Sequence, residues 1–120
     1  MTTYFGFAIA DSMFGSFDGM MELFRSPIAS DKVAGYLNAR DIVPCVNPSH
    51  VATLNALRVR FGVEVAVPAT APKVLLQRGD ALVVMTVNGL PRLGGDRHEY
   101  TEAEIASATF TFALWTIPRE

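Results

Sequence analysis

The chain has 120 residues, half of them apolar, which fits one domain that buries roughly two-thirds of its unfolded surface. Ten basic and twelve acidic residues give a net charge of -2, which argues against a protein that coats long nucleic acid. The single Cys45 excludes an intramolecular disulfide, and no Cys/His cluster supplies the ligands of a zinc site. The first apolar run, residues 5–10, is far shorter than the ~20 residues of a membrane span. We therefore expect one domain, 1–120, in the cytoplasm, with no metal, cofactor or membrane.

The first third of the chain alternates between strand and helix patterns. Residues 3–10 and 20–28 are rich in apolar and aromatic residues and predict two strands. Residues 30–41 show helical spacing, with Ser30 as a plausible N-cap. Residues 41–47 predict an edge or irregular strand, because Pro44 cannot donate to a ladder.

Residues 47–62, NPSHVATLNALRVRFG, predict the clearest helix in the chain. Asn47 suits the N-cap, Pro48 suits the first helical position and Gly62 suits the C-terminal stop. At 100° per residue the apolar stripe consists of Val51, Leu54, Leu57 and Phe61. His50 falls between Leu54 and Leu57 in angle, so we expect it at the mouth of the core, near the start of the helix.

The second half of the chain predicts strands and one short helix. The predicted strands are 63–68, 73–77, 80–88 and 109–117. Between the last two strands lie an exposed loop, 89–100, and the sequence TEAE (101–104), which is a capping box that starts a helix. Together these elements indicate the mixed α/β class.

Two regions hold candidates for chemistry, the start of the predicted 47–62 helix and the 89–100 loop. A histidine on the apolar side of a helix, such as His50, is more often a hydrogen-bonded core residue than a functional one. The alternative is an anion site, because the unpaired N–H groups at a helix start favour a phosphate oxygen, and a histidine there can contact the same anion. Thr53 either adds a hydroxyl to that ligand or bonds back to a carbonyl. Arg92 follows the stiff Pro91, and is either a bidentate phosphate contact or a solvated loop charge. Asp96 is an ordinary turn residue.

Four stretches resemble one family, the small viral ring nucleases that inhibit type III CRISPR immunity, typified by a protein of a turreted icosahedral archaeal virus. GFAIADSMF resembles the family's opening strand and turn, and SHVATLNALRVRFG resembles its G-H-D-S-T-x-x-L helix. GDALVVMTVN is similar to its penultimate strand, and PRL…EYTEAEI…TFTFALW to its loop, capped helix and last strand. The resemblance covers nearly the whole chain.

The resemblance implies a roughly five-stranded mixed sheet flanked by helices, assembled as a two-fold homodimer. It also implies a ligand, cyclic tetra-adenylate, which is a cyclic oligoadenylate second messenger, and a metal-independent cleavage by attack of the ribose 2'-hydroxyl. His50 would be the general acid and Arg92 would stabilise the charge of the transition state. Ser12, Ser49, Thr53 and Asn88 would position the ligand.

One departure from the family leaves alternatives open. Gly95 stands where the family has a glutamate three residues beyond the loop arginine, so Asp96 or Glu99 takes over that role, or the role is lost. A chain that has lost this role would be a non-catalytic sponge, which binds and sequesters the messenger without cleaving it. Phe7 and Ala10 stand where the family has polar residues, so a related cyclic nucleotide is also an open ligand. The third alternative is a plain α/β interaction protein in which His50 is only structural.

Overall fold

The computed structural model describes residues 1–70, 72–94 and 97–119. Its strands are β1 (Thr3–Gly6), β2 (Phe24–Ile28), β3 (Ile42–Pro44), β4 (Ala81–Asn88) and β5 (Thr109–Thr116). Its helices are α1 (Val33–Asn38), α2 (Val51–Phe61) and α3 (Glu102–Ser107). The predicted α/β class is confirmed, and so is the five-stranded sheet implied by the family resemblance.

The five strands form one mixed sheet in the order β2-β5-β4-β1-β3. Strand β1 runs parallel to both β3 and β4, so that Tyr4 lies opposite Val43 on one side and Leu82 on the other. Strand β5 is antiparallel to β4 and β2. The predicted edge position of β3 is confirmed, and it suits Pro44 because one side of an edge strand needs no ladder donor.

All three helices share one core with one face of the sheet. Strand residues Phe5, Val83 and Met85 are buried in the same apolar cluster as Leu57 of α2 and Ile105 of α3. Because side chains alternate along a strand, Tyr4 points to the opposite face, where it joins a smaller cluster around Leu76 and Ile117. The sheet is therefore covered on both faces, with the helices on one side only.

Residues 73–77 cover the face opposite the helices, and the prediction of a strand there is wrong. The backbone N–H of Leu76 donates to the Met13 carbonyl at 2.7 Å, and the hydroxyl of Ser16 donates to the Leu76 carbonyl at 2.9 Å. Val74 and Leu76 are buried while Leu75 is 41% exposed. Buried and exposed residues thus alternate because the segment packs across the face of the sheet. Such packing produces the same sequence pattern as a strand that is hydrogen-bonded within the sheet.

Residues 63–68 also lie outside the sheet, so the strand predicted there is wrong. Val63 is buried and Val65 packs against the main core, while Glu64 and Val67 are exposed. In the described part of the chain no strand pairs with this segment. Packing of alternate valines against the core accounts for the pattern without any hydrogen-bonded neighbour.

Three local expectations about the first half of the chain also fail. Strand β1 ends at Gly6 rather than at Ala10. Lys32 occupies the N-cap of α1, because the Ser30 hydroxyl donates to the Phe110 carbonyl at 3.4 Å instead of capping the helix. Val51 is 53% exposed, so the buried part of the α2 stripe starts one turn later at Leu54.

The predicted stop of α2 and the predicted start of α3 are confirmed. Gly62 ends α2 in the left-handed conformation, with φ of 70°, and its N–H donates to the Arg58 carbonyl. Thr101 and Glu104 form the complete capping box of α3. Among the described helices, none combines the length and apolar character needed to cross a bilayer.

Candidate functional site

The carboxyl ends of three parallel strands meet at one edge of the sheet. The chain leaves β1 at Gly6 and β3 at Pro44, while the neighbouring parallel β4 passes Gly6 at Val84 and continues to Asn88. In open α/β sheets, ligands bind outside the carboxyl ends of the strands. Phe7, the turn that carries His50 and the last residues of β4 all lie at this edge.

His50 is placed by a short capped turn. The predicted capping bond of Asn47 forms, since its side-chain oxygen accepts from the Ser49 N–H at 3.0 Å, but it caps a 3₁₀ turn rather than α2 itself. Residues Pro48–His50 form one 3₁₀ turn, in which the His50 N–H donates to the Asn47 carbonyl at 3.0 Å, and α2 begins at Val51. His50 therefore sits at the junction of a rigid turn and an eleven-residue helix.

This cap changes one expectation about anion binding. Pro48 has no N–H, and the N–H groups of Ser49 and His50 are both paired with Asn47. The expected unpaired backbone donors are therefore absent at these three positions. The helix dipole remains, but hydrogen bonds to an anion near the turn have to come from side chains.

A cavity of about 280 Å³ brings His50 and Thr53 together. It is lined by Phe7, His50, Thr53, Met85, Thr86 and Val87. One imidazole and two hydroxyls thus face a pocket whose other walls are apolar. Polar groups set into an apolar wall are typical of a ligand site, because a few of them fix the orientation of the ligand.

The His50 side chain is exposed and makes no hydrogen bond to any described residue. Its ring instead meets the ring of Phe7 edge to face, with 4.9 Å between the centroids and 88° between the planes. The structure therefore excludes the interpretation of His50 as a hydrogen-bonded core residue. Imidazole nitrogens that carry no internal partner are free to exchange a proton with a ligand.

Ser12 lies at a different cavity. This second cavity, of about 320 Å³, is lined by Ser12, Met13, Cys45, Pro72, Lys73 and Val74. Burial raises the pKa of the Cys45 thiol to about 11, and its sulfur donates to the Phe5 carbonyl at 3.2 Å. Cys45 is therefore a neutral packing group near neutral pH, and the hydroxyl of Ser12 and the ammonium of Lys73 are the polar groups of this cavity.

Three other predicted site residues are exposed at or near the same edge. Ser49 lies in the His50 turn, Asn88 is the last residue of β4 opposite Thr109, and Arg92 lies in the loop that follows. Within the described residues, none of the three lines the His50 cavity. Gly95 and Asp96 lie outside the described residues.

The C-terminal end of the 89–100 loop is bonded to α3 through Arg97. Arg97 forms an ion pair with Glu104 and also donates to the Glu99 carbonyl at 3.3 Å. Hydrogen bonding from Arg97 lowers the pKa of the Glu104 carboxyl to about 2, with help from the backbone of Thr101. The loop that carries Arg92 is therefore anchored on one side by β4 and on the other by α3.

Reasoning from the sequence missed four residues of the His50 cavity, Phe7, Met85, Thr86 and Val87. Thr86 supplies its second hydroxyl, and Phe7 supplies the aromatic contact to His50. A signal existed for Thr86, because it is the polar residue that interrupts the apolar run of β4. No local signal links Phe7 to His50, which is 43 positions further along the chain.

A larger groove, of about 440 Å³, holds none of the predicted site residues. It runs between α2 and the 63–68 segment and is lined by Val51, Leu54, Asn55, Arg58 and residues 64–67. The guanidinium of Arg58 in this groove already has a hydrogen-bond partner, since it donates to the Asn55 side-chain oxygen at 2.8 Å. The smaller His50 cavity offers the acid–base and hydroxyl groups, so it is the candidate site.

Fold and site together define a class, an α/β domain with a mixed five-stranded sheet and a histidine-bearing cavity at the carboxyl edge of its parallel strands. The structure is similar to that of B116 of Sulfolobus turreted icosahedral virus (STIV), with a TM-score of 0.71 and 13% sequence identity. The similarity covers 97% of this chain and 99% of B116. No protein-family model and no curated protein matches the sequence. The resemblance read from sequence motifs is thus supported at the level of the fold.

Proposed function

We propose that this protein is a homodimeric, metal-independent ring nuclease that binds and cleaves cyclic tetra-adenylate and so inhibits type III CRISPR signalling in the cytoplasm. The observation that carries the proposal is the His50 cavity, where an imidazole without an internal hydrogen bond faces two threonine hydroxyls. The B116-like fold supports it, because it agrees over nearly the whole chain with the family that the motifs resemble.

The proposed reaction uses a nucleophile that the substrate already contains. The ribose 2'-oxygen forms a bond to its own 3'-phosphorus, the bond from phosphorus to the 5'-oxygen breaks, and a 2',3'-cyclic phosphate results. His50 donates a proton to the departing 5'-oxygen, and the proton of the 2'-hydroxyl passes to water. The protein supplies orientation and proton transfer, so the chemistry needs no metal or cofactor.

The other predicted residues act around this step. Thr53 holds the ligand from inside the cavity, while Ser49 and Asn88 hold it from the exposed edge. Arg92 reaches over from the loop to stabilise charge on the phosphate in the transition state. Ser12 lies in a separate cavity, so its contact to the ligand rests on the family resemblance alone.

The size and symmetry of the proposed ligand favour a homodimer. A cavity of about 280 Å³ is below the usual range for a whole drug-sized ligand, so it holds one segment of a cyclic tetranucleotide. A two-fold dimer presents the same site to both halves of a symmetric ring. Each protomer would then bind half of the ligand.

A non-catalytic sponge is the second candidate, and Gly95 favours it. A glycine offers no carboxylate where the family has a glutamate, and Asp96 is the nearest carboxylate in the sequence. Such a protein would bind the messenger without cutting it.

The deciding experiment incubates the protein with labelled cyclic tetra-adenylate in EDTA and resolves the products. We expect fragments that end in 2',3'-cyclic phosphate, and a rate at least about 100-fold lower for His50→Ala. His98→Ala is the matched control, because His98 is the only other histidine and lies exposed in the loop. Tight binding without cleavage would establish the sponge, and absence of binding would leave the α/β interaction protein.

A further inference from the structure

We infer that Phe7 is the positioning residue of His50: its ring sets the plane of the imidazole in the cavity, in the role that a hydrogen-bonding partner usually has. This inference rests on the proposed function only for its effect on cleavage. The orientation of the ring is a property of the protein itself and can be measured without any ligand.

The contact itself has the geometry of a favourable aromatic pair. The ring centroids are 4.9 Å apart and the planes are nearly perpendicular, at 88°. This edge-to-face arrangement places the positive edge of one ring against the negative face of the other. Both rings line the same cavity, so the contact fixes the imidazole where a ligand would meet it.

Phe7 is itself held by the core. It directly follows β1 and packs against the main apolar cluster, and its ring meets Phe5 edge to face with centroids 6.1 Å apart. Phe5 is fully buried and lies opposite Pro44 in β3 and Val83 in β4. Three rings therefore run from the centre of the sheet to the cavity, which makes Phe7 a rigid support for His50.

The histidine needs this support because only its backbone is otherwise constrained. The Asn47 carbonyl accepts a hydrogen bond from the His50 N–H, but no described residue forms a hydrogen bond with the ring nitrogens of His50. A catalytic histidine is commonly oriented by a carboxylate or carbonyl that accepts from one nitrogen. Without such a partner the exposed side chain would sample several rotamers, and a general acid must hold its proton within reach of the leaving oxygen.

An aromatic support differs from a hydrogen-bonding one in a testable way. It restrains the ring plane but does not choose which nitrogen carries the proton. We therefore expect neutral His50 to populate both tautomers in the free protein, whereas a hydrogen-bond acceptor would select one.

Variants at Phe7 separate the positioning effect of its aromatic ring from the effect of simply filling space with an apolar side chain. Phe7→Leu removes the ring and keeps an apolar side chain, while Phe7→Tyr retains the ring and is the conservative rescue. Phe17→Leu makes the same exchange at a partly buried position in the cluster on the other face of the sheet. The chain has two histidines, so the Hα and Hβ signals of His50 can be compared with those of exposed His98 in one NMR spectrum.

We expect the Hα–Hβ couplings of His50 to show one side-chain rotamer in the wild-type protein and averaged rotamers in Phe7→Leu, a change that loss of the Phe7 ring current alone would not produce. The couplings should keep their wild-type values in Phe7→Tyr and Phe17→Leu. In the cleavage assay Phe7→Leu should lower kcat about 10-fold to 100-fold with a much smaller change in KM, because a small misplacement of a catalytic group has effects of this size.

Two results would overturn the inference. One is unchanged His50 couplings in Phe7→Leu, and the other is changed couplings with full cleavage activity. If the wild-type protein does not cleave cyclic tetra-adenylate, the proposed function fails, while the spectra of the same variants still decide whether Phe7 orients His50.

Discussion

The side-chain oxygen of Asn47 accepts a hydrogen bond from the backbone N–H of Ser49 at 3.0 Å, and this bond starts the turn that carries His50. The carbonyl of Asn47 also accepts from the His50 N–H. One residue therefore both caps the 3₁₀ turn that leads into α2 and holds the backbone of the proposed general acid. It also leaves only the hydroxyl of Ser49 for the ligand contact predicted there.

Removal of this cap should weaken the fold and the site together. Asn47→Ala is expected to lower the free energy of unfolding by about 1 kcal/mol and to slow cleavage of cyclic tetra-adenylate, because the turn loses its side-chain acceptor. Asn47→Asp keeps an acceptor oxygen and should retain both properties. Urea titration and the cleavage assay measure the two effects, and an Asn47→Ala protein as stable as wild type would contradict the role of the cap.

Arg60 should contribute to stability through the end of α3. Its guanidinium donates to the carbonyls of Ile105 and Ala108 at 2.7 Å and 3.1 Å, and so ties α2 to the C-terminal end of α3. We expect Arg60→Ala to lower the free energy of unfolding by about 1.5 kcal/mol. Arg58→Ala is the control on the same helix, because its contact to Asn55 is local and exposed; its effect should stay within about 0.5 kcal/mol. Equal losses for the two variants would argue against the contact to α3.

Two glycines in helical surroundings should respond in opposite directions to the same substitution. Gly62 has φ of 70°, which a residue with a Cβ adopts at a cost, so Gly62→Ala should lower the free energy of unfolding by about 1 kcal/mol. Gly35 lies inside α1 with nothing within 4 Å of an added Cβ. Gly35→Ala should raise the free energy of unfolding by about 1 kcal/mol, since alanine favours the helix more. Thermal unfolding of the pair checks this, and a change of the same sign in both would refute it.

The Arg97–Glu104 ion pair should make stability depend on pH at the acidic end. The pKa of Glu104 falls to about 2 in the folded protein, chiefly through Arg97, whereas an unfolded glutamate has a pKa of about 4.3. A lowered pKa stabilises the fold when the carboxyl is ionised, so the contribution is complete above about pH 4.3 and is lost as the pH falls towards 2.

Glu104→Gln tests this pH dependence, because glutamine keeps the capping geometry and removes the charge. The urea midpoint of the variant should lie below that of wild type at pH 7, and the two should converge near pH 2. High salt should also reduce the difference, because the pair is exposed. Glu102→Gln, in the same first turn, is the control and should show a smaller difference; a gap that persists at pH 2 would contradict the ion pair as its cause.

Several elements could be predicted from the sequence because their signals are local. The capping box at Thr101, the stop at Gly62 and the cap at Asn47 each depend on residues within one helical turn. The long apolar strand β4 and the closing aromatic strand β5 also carry their pattern within themselves. The pattern of apolar residues alone predicted more strands than the sheet contains. The correct count of five strands came from the motif resemblance.

The candidate site could be predicted only in part. His50 and Thr53 stand three positions apart on one helix start, so their proximity is local, and both line the cavity. Phe7, directly after β1, and Thr86, in β4, are far from His50 in the sequence, and only the alignment of β1 with β4 brings them to it. The placement of Asp96, and with it the substitute for the missing glutamate, stays a prediction.

The sequence by itself determined where α2 stops and where α3 starts, because caps act between near neighbours. Tertiary structure decided which extended segments enter the sheet. Residues 63–68 and 73–77 have strand-like alternation but pack as irregular chain, since a strand also needs a hydrogen-bonding partner, and β1 takes those partners at residues 42–44 and 81–84. The same long-range pairing placed Phe7 against His50, a contact that no local pattern encodes.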